Sequence, residues 1–284
     1  MDRLVPIPRE DLPALRNLYK VNWPKYLVVY KTINQFILWL ETDPKIDNLF
    51  IWSLNGLWQS NGTVIIKNDL DIHCATLEEN GESLMKALCL IDWSPGVLIC
   101  DIMAYLQPRI LEVIEKLRIP VMFDTGTGHK FLTLEREKAE NLKDIQLDDV
   151  TIKRLTVEDA SIASSLWRSM AHFRKGGSLM LLQRSAKYNM CLGAYSPNND
   201  LIGWIFVASS GAIGTLHVIE EYRGRKIAQA LIISLCQYIA RSLKLDVHVF
   251  TTHENVPSQK LFSKLGFVEN TELVYNILTK PLNN

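Results

Sequence analysis

The stretch Leu216-His217-Val218-Ile219-Glu220-Glu221-Tyr222-Arg223-Gly224-Arg225-Lys226-Ile227-Ala228-Gln229-Ala230-Leu231 constrains the fold more than any other segment. An apolar strand pattern runs into a basic, glycine-containing turn and then directly into an apolar helix. The first turn of such a helix offers backbone N–H groups without intrahelical acceptors, together with the positive end of the helix dipole. Arg223, Arg225 and Lys226 add cations, and Gly224 lets the backbone turn without a Cβ clash. Together these make a site for a phosphate or pyrophosphate. Taken alone, the stretch is equally consistent with a surface turn that happens to be basic.

A second strand-to-helix junction follows at Asn255-Val256-Pro257-Ser258-Gln259-Lys260-Leu261-Phe262-Ser263-Lys264-Leu265-Gly266-Phe267. The Asn255 amide is positioned to cap the helix or to bind a ligand, and Pro257 favours the first helical turn. Leu261, Phe262 and Leu265 form an apolar face that Gly266 closes. Either junction could be ordinary. The two in this order are harder to ascribe to chance.

The rest of the chain predicts an α/β (α+β) architecture with two domains, each a mixed sheet flanked by helices. In the first half, helical periodicity (Leu12, Leu15, Leu18, Tyr19; then Phe36, Ile37, Leu40) precedes short β-rich runs at Leu49–Trp52, Val64–Ile66 and Ile72–Thr76. Asn61-Gly62 marks a turn before the second run. Helices at about 82–90 and 106–117 then alternate with strands at Val97–Cys100 and Val121–Phe123. The second half repeats this order. A strand at Val150–Leu155 leads to a helix started by Thr156, with Glu158 in its first turn and Ile162, Ala163, Leu166 and Met170 on one face. Strands at Cys191–Tyr195, Leu201–Ala208 and Ile213–Ile219 come next, then helix 226–243, strand Leu245–Phe250, helix Val256–Leu265 and a last strand at Val274–Leu278. The charged segment Leu134–Asp149 reads as a solvated connector, giving domains 1–147 and 148–284.

Equal numbers of basic and acidic residues (31 each) argue against a broad attraction to nucleic acid or to an anionic membrane. No apolar run approaches the roughly 20 residues that span a bilayer. The opening Met1-Asp2-Arg3-Leu4-Val5-Pro6 lacks a signal-peptide core, so a cytoplasmic location is expected. Five cysteines are scattered without metal-ligand spacing, which predicts reduced core thiols and no metal site. Thr125-Gly126-Thr127-Gly128-His129-Lys130 superficially suggests a nucleotide loop. Phe131 stands where a magnesium-binding hydroxyl would be needed and a strand follows, so it reads as a turn.

At this point the sequence resembles the GCN5-related N-acetyltransferase (GNAT) superfamily. Arg223-Gly224-Arg225-Lys226-Ile227-Ala228 is similar to its Arg/Gln-x-x-Gly-x-Gly/Ala signature at the first and last positions, with Lys226 replacing the central glycine. Lys226 is expected to present its N–H in helical geometry. Asn255, Ser258, Leu261, Phe262, Leu265, Gly266 and Phe267 match the second family motif. The resemblance covers roughly residues 150–280 and lies closest to the glycine N-acyltransferase-like group, including insect members. That group pairs a degenerate N-terminal domain with an active C-terminal one. The first half here carries no counterpart of the phosphate signature.

The resemblance implies an N-acyltransferase that joins acyl-CoA and a small amine acceptor in a ternary complex. Its coenzyme site would comprise the backbone of Leu216, His217 and Val218, the turn Arg223 to Ala228, and Asn255, Ser258 and Phe262. A strand N–H near Val218 would stabilise the oxyanion. The positions where relatives carry a Glu or His are Ala212 and Gly214, which leaves His217 as the nearest candidate base, or else a packed histidine. Phe262 replaces the tyrosine acid of many relatives. Acceptor choice would fall to Ala171–Ser178, where Arg174 or Lys175 binds a carboxylate or is simply solvated. Trp204 and Phe206 line an acyl pocket or fill the core. Rival readings are a coenzyme A-binding module without turnover and a protein N-acetyltransferase.

Overall fold

The computed structural model describes residues 1–124, 126–166 and 177–282. In chain order the elements begin with β1 (Leu4–Pro6), α1 (Leu12–Leu18), α2 (Leu27–Thr42), β2 (Leu49–Leu54), α3 (Trp58–Asn61), β3 (Val64–Asn68) and β4 (Asp71–Ala75). They continue through α4 (Glu82–Leu88), β5 (Leu98–Met103), α5 (Gln107–Lys116), β6 (Val121–Asp124), β7 (His129–Leu134), α6 (Arg136–Glu140) and β8 (Thr151–Arg154). The remainder comprises α7 (Val157–Leu166), α8 (Gly177–Tyr188), β9 (Leu192–Tyr195), β10 (Leu201–Val207), β11 (Ile213–Val218), α9 (Ile227–Tyr238), β12 (Val247–Thr251), α10 (Val256–Lys264) and β13 (Val268–Thr279).

Two compact units result: Met1–His129 together with Glu272–Asn284, and Lys130–Thr271. The expected cut near residue 147 falls inside the second unit, for a reason written in strand pairing. The strand beside β5 is β13, from the far end of the chain, with Val274 opposite Met103 and Leu278 opposite Leu98. The strand beside β12 is β7, with Val247 opposite Leu134 and Thr251 opposite Lys130. A charged segment marks where sequence is polar; ladder hydrogen bonds decide which unit a strand joins.

Within the first unit, β1 to β4 form an antiparallel run and β4 then pairs with β5 in parallel. The second unit repeats this plan: β8 to β11 are antiparallel, and β11 meets β12 in parallel. Apolar β-branched runs such as Val64-Ile65-Ile66 are buried throughout, as strands covered by helices should be. Ile65, Leu84, Ile99 and Val113 belong to the core of the first unit. Trp204, Phe206, Leu231 and Phe262 belong to that of the second.

Several local expectations need correction. The Asn61-Gly62 turn ahead of β3 also closes a short helix: Gly62 adopts φ 68°, and the Asn61 carbonyl accepts from the Leu77 amide at 2.8 Å. The Leu134–Asp149 segment is tied down, not free. Ala139 is fully buried in α6, Gln237 Nε2 donates to the Leu142 carbonyl and to Asp144 Oδ1 (both 2.8 Å), and Arg241 donates to the Glu140 carbonyl at 2.6 Å. In α7, Glu158 and Asp159 both lie in the first turn, and Asp159 completes the cap. The Thr156 amide donates to Asp159 Oδ2 at 2.8 Å and the Asp159 amide returns to Thr156 Oγ1 at 3.2 Å. The buried face of α7 is Ala160 and Ala163, while Ile162 (47% exposed) and Leu166 (44%) face outward. Small side chains let the helix sit close, so apolar size was a poor guide to its phase. Met170 lies outside the described residues. All five cysteines are free thiols.

Candidate functional site

β11 carries the site because its two edges are unlike. Toward β10 it pairs Val218 with Gly203 and His217 with Trp204, then slips by one residue before Gly214 meets Phe206. This β-bulge places Thr215 in the left-handed region at φ 51°. Toward β12 the parallel register is Ile213↔Val249, and the two strands part beyond it. The Ile219 amide donates to the Ile202 carbonyl at 2.9 Å, which fixes the alternation of the antiparallel ladder. His217 therefore directs its backbone groups at β10, and Val218 turns its N–H and C=O toward the parting beside β12.

Gly203 sets how closely the neighbouring helix approaches. A Cβ there would meet the His217 carbonyl oxygen at 3.1 Å, Val218 Cγ2 at 3.2 Å and Ile227 Cγ2 at 3.5 Å. Gly203 and Val218 thus face α9, and by strand alternation Trp204 and His217 lie on the opposite face.

At the start of α9, Arg223, Gly224, Arg225 and Lys226 are exposed, whereas Ile227 is buried and Ala228 half-buried. Gly224 adopts φ 79° with open space around its Cβ position, so its role is conformational. Lys226 does not continue the helix as expected. It is the N-cap in left-handed geometry (φ 62°, ψ 11°), and its carbonyl accepts the Ala230 amide at 3.0 Å. That conformation favours glycine, which accounts physically for the glycine of the family signature at this position. No side-chain cap covers the first-turn amides. The Arg223 Nε donates to the Val218 carbonyl at 3.1 Å, and the Arg225 guanidinium lies 5.2 Å from the Tyr222 ring centroid. The α-helix ends at Tyr238 and its last turn, Ile239–Leu243, is a π-helix.

His217 stacks on Trp204, with centroids 4.7 Å apart and planes at 23°. Burial first, and the Arg223 charge second, lower its pKa below the ordinary 6.5, so the imidazole is neutral at pH 7. Trp204 is fully buried, and its Nε1–H has no hydrogen-bond partner. Phe206 is also core. Neither ring offers an open surface, and the sequence alone gave no sign of the stack, which arises from cross-strand register.

The second motif folds locally as its residues dictate. Asn255 Oδ1 accepts the Ser258 amide at 3.2 Å, so the amide side chain caps α10. Phe262 is 1% exposed and packs edge-on against Phe267 at 5.1 Å. Leu216 is half-buried against the same core. Ala212 is buried, and a Cβ at Gly214 would meet nothing within 4 Å. Glu220 and Glu221 are exposed in the turn. Residues 171–176 of the expected acceptor loop, including Arg174 and Lys175, lie outside the described residues, as does Thr125. Among the described residues, no group of three or more His, Cys, Asp or Glu side chains could hold a metal ion, and no helix is long and apolar enough to cross a membrane.

A diphosphate needs several donors and positive charge in one place. The uncapped amides of Ile227 and Ala228, with Arg225 and Lys226 exposed beside them, fit that need. Residues 191–275 match the family model described as FR47-like protein. A Drosophila protein solved by structural genomics is similar over 98% of both chains, at 22% identity and TM-score 0.82. A tandem GNAT protein from the clavulanic acid biosynthesis pathway is similar over the full length of both chains, at 14% identity and TM-score 0.51. No curated protein matches the chain significantly. The chain thus carries the tandem GCN5-related N-acetyltransferase fold, and the FR47-like match covers the strands and helices that build its candidate site.

Proposed function

We propose that the second unit is an acyl-CoA-dependent N-acyltransferase acting on the amine of a small molecule, with glycine or another amino acid as the acceptor class suggested by the resemblance. One observation carries the reading. An uncapped, cationic helix start is joined through Arg223 to Val218, whose backbone N–H faces a parted strand pair.

In this reading Arg225, Lys226 and the first amides of α9 hold the pyrophosphate, and the edge of β11 from Leu216 to Val218 receives the pantetheine arm. The acceptor nitrogen bonds to the thioester carbonyl carbon, the carbon–sulfur bond breaks, and the sulfur leaves as a thiolate. We assign the Val218 N–H to the developing oxyanion. A neutral imidazole accepts the amine proton, and His217 is the candidate in reach of β11. A thiol with a pKa of about 8.5 leaves without a strong acid, which suits the phenylalanine at position 262.

The Arg225→Glu, Lys226→Glu double variant tests the assignment. Calorimetric affinity for coenzyme A should fall by about 100-fold through lost charge-assisted bonds. Unchanged affinity removes the pyrophosphate site. Ala212 and Gly214, which supply no base, favour a second reading: a coenzyme A-binding module without turnover. Tight binding with no thiol release across acyl-CoAs and amines would select it, and mass shifts on peptides but never on amino acids would select a protein acetyltransferase.

A further inference from the structure

An acceptor amine needs a path to His217, and the register of β10 against β11 shows where room for one lies. Trp204 is opposite His217 and Phe206 is opposite Gly214. With the bulge at Thr215 between them, Gly214 and His217 therefore share one face of β11, the face turned away from α9. Two residues of β10 separate the pairs, which puts Gly214 about 7 Å from His217 along the sheet.

The space over Gly214 is open. A Cβ built there would meet nothing within 4 Å among the described residues, and Gly214 and His217 are both only half-buried. Gly203 and Gly193 differ. A Cβ at Gly203 would meet the His217 carbonyl oxygen at 3.1 Å, and one at Gly193 would meet side-chain atoms of Leu155 and Tyr195 at 2.8 Å. Close neighbours call for glycine at those two positions. None does at Gly214, whose φ lies outside the left-handed region, and the bulge itself is carried by Thr215 at φ 51°. Glycine inside a strand weakens it and often marks a place that a ligand approaches.

The side toward β12 follows from the Ile213↔Val249 pair. The next residue, Phe250, shares the face of Gly214 and is half-buried. An amine over Gly214 would thus meet an aromatic ring on one side and the imidazole of His217 at the end. We propose that Gly214 is the specificity-determining residue for the acceptor: the amine lies over it with its nitrogen at His217 and its substituents beside Phe250, so the side chain at position 214 sets their bulk. The inference rests on the acyltransferase reading of this site.

The test compares the full wild-type chain with Gly214→Ala and Gly214→Val. Both variants should fold, because the added carbon enters open space, and urea midpoints check this. Coenzyme A affinity by calorimetry should be unchanged, since the turn into α9 is untouched. The ratio of kcat/KM for glycine to that for leucine should rise about tenfold in G214V, as loss of pocket space for a few carbon atoms predicts, with G214A intermediate. The rise should appear in the KM of the amine. An unchanged ratio in folded variants overturns the inference and leaves the coenzyme site standing. Failure of the wild-type chain to bind coenzyme A overturns the acyltransferase reading and this inference with it. Should the chain bind coenzyme A without turnover, an NMR titration of the coenzyme-loaded chain with leucine decides. A perturbed His217 imidazole in wild type that is lost in G214V supports the assignment; an equal response in both, or none in wild type, overturns it.

Discussion

The Nε of Arg223 donates to the carbonyl oxygen of Val218 at 3.1 Å, so the cationic turn and the open edge of β11 are held as one piece. Arg223→Ala removes both this bond and a charge that lowers the His217 pKa. We expect kcat/KM for acyl-CoA to fall about tenfold, as loss of one charge-assisted hydrogen bond predicts. The acidic limb of the pH–rate profile should move to higher pH. A profile that does not move would show that Arg223 does not govern the group that titrates.

Lys226 occupies φ 62°, where a residue with a Cβ is strained by about 1–2 kcal/mol. Lys226→Gly removes that strain at some cost in unfolded-state entropy, so the net stabilisation should be about 0.5–1 kcal/mol. Urea unfolding should show a higher midpoint, while calorimetry shows weaker coenzyme A binding from the lost cation. A lower midpoint would mean that the lysine stem makes compensating contacts.

Phe262 stands where many relatives carry a tyrosine, yet its ring is buried against Phe267. Phe262→Tyr adds a hydroxyl to an apolar contact, and an unsatisfied buried hydroxyl costs about 1–3 kcal/mol. The variant should therefore lose stability and gain no rate. A faster enzyme at unchanged stability would reveal that the ring edge reaches the reacting groups.

Burial lowers the His73 pKa from 6.5 to about 4. The unfolded chain therefore takes up a proton at a pH where the native imidazole does not. The stabilisation is complete above about pH 6.5 and is lost as pH falls toward 4, amounting to about 3 kcal/mol at 1.36 kcal/mol per unit. Denaturant midpoints measured from pH 7.5 to 4 should fall accordingly, and His73→Phe should flatten that part of the decline. An equal decline in the variant would assign it to carboxylates.

Much of the second unit was legible because its signals are local. Thr156 and Asn255 name two helix starts through their own caps, and Gly224 marks the turn that leads into α9. Where tertiary contacts decide, the reading failed. Ala163 is buried as its place on the expected face requires, yet Ile162 and Leu166 of that face point outward and Ala160 points inward instead. The same limit hid the stack of His217 on Trp204, because a one-residue slip at Thr215 sets which side chains face each other.

By itself the sequence determined where cations, glycine and apolar periodicity meet, since hydrogen-bond caps, backbone preferences and charge act over a few residues. It therefore carried the strand–turn–helix order and the cationic helix start. Only the tertiary structure decided that β13 from Glu272 onward joins the first unit and β7 from Lys130 onward the second, that Lys226 turns left-handed, and that the Val218 amide faces a parting. Those outcomes depend on ladder pairing and on space between distant segments, which no local pattern encodes.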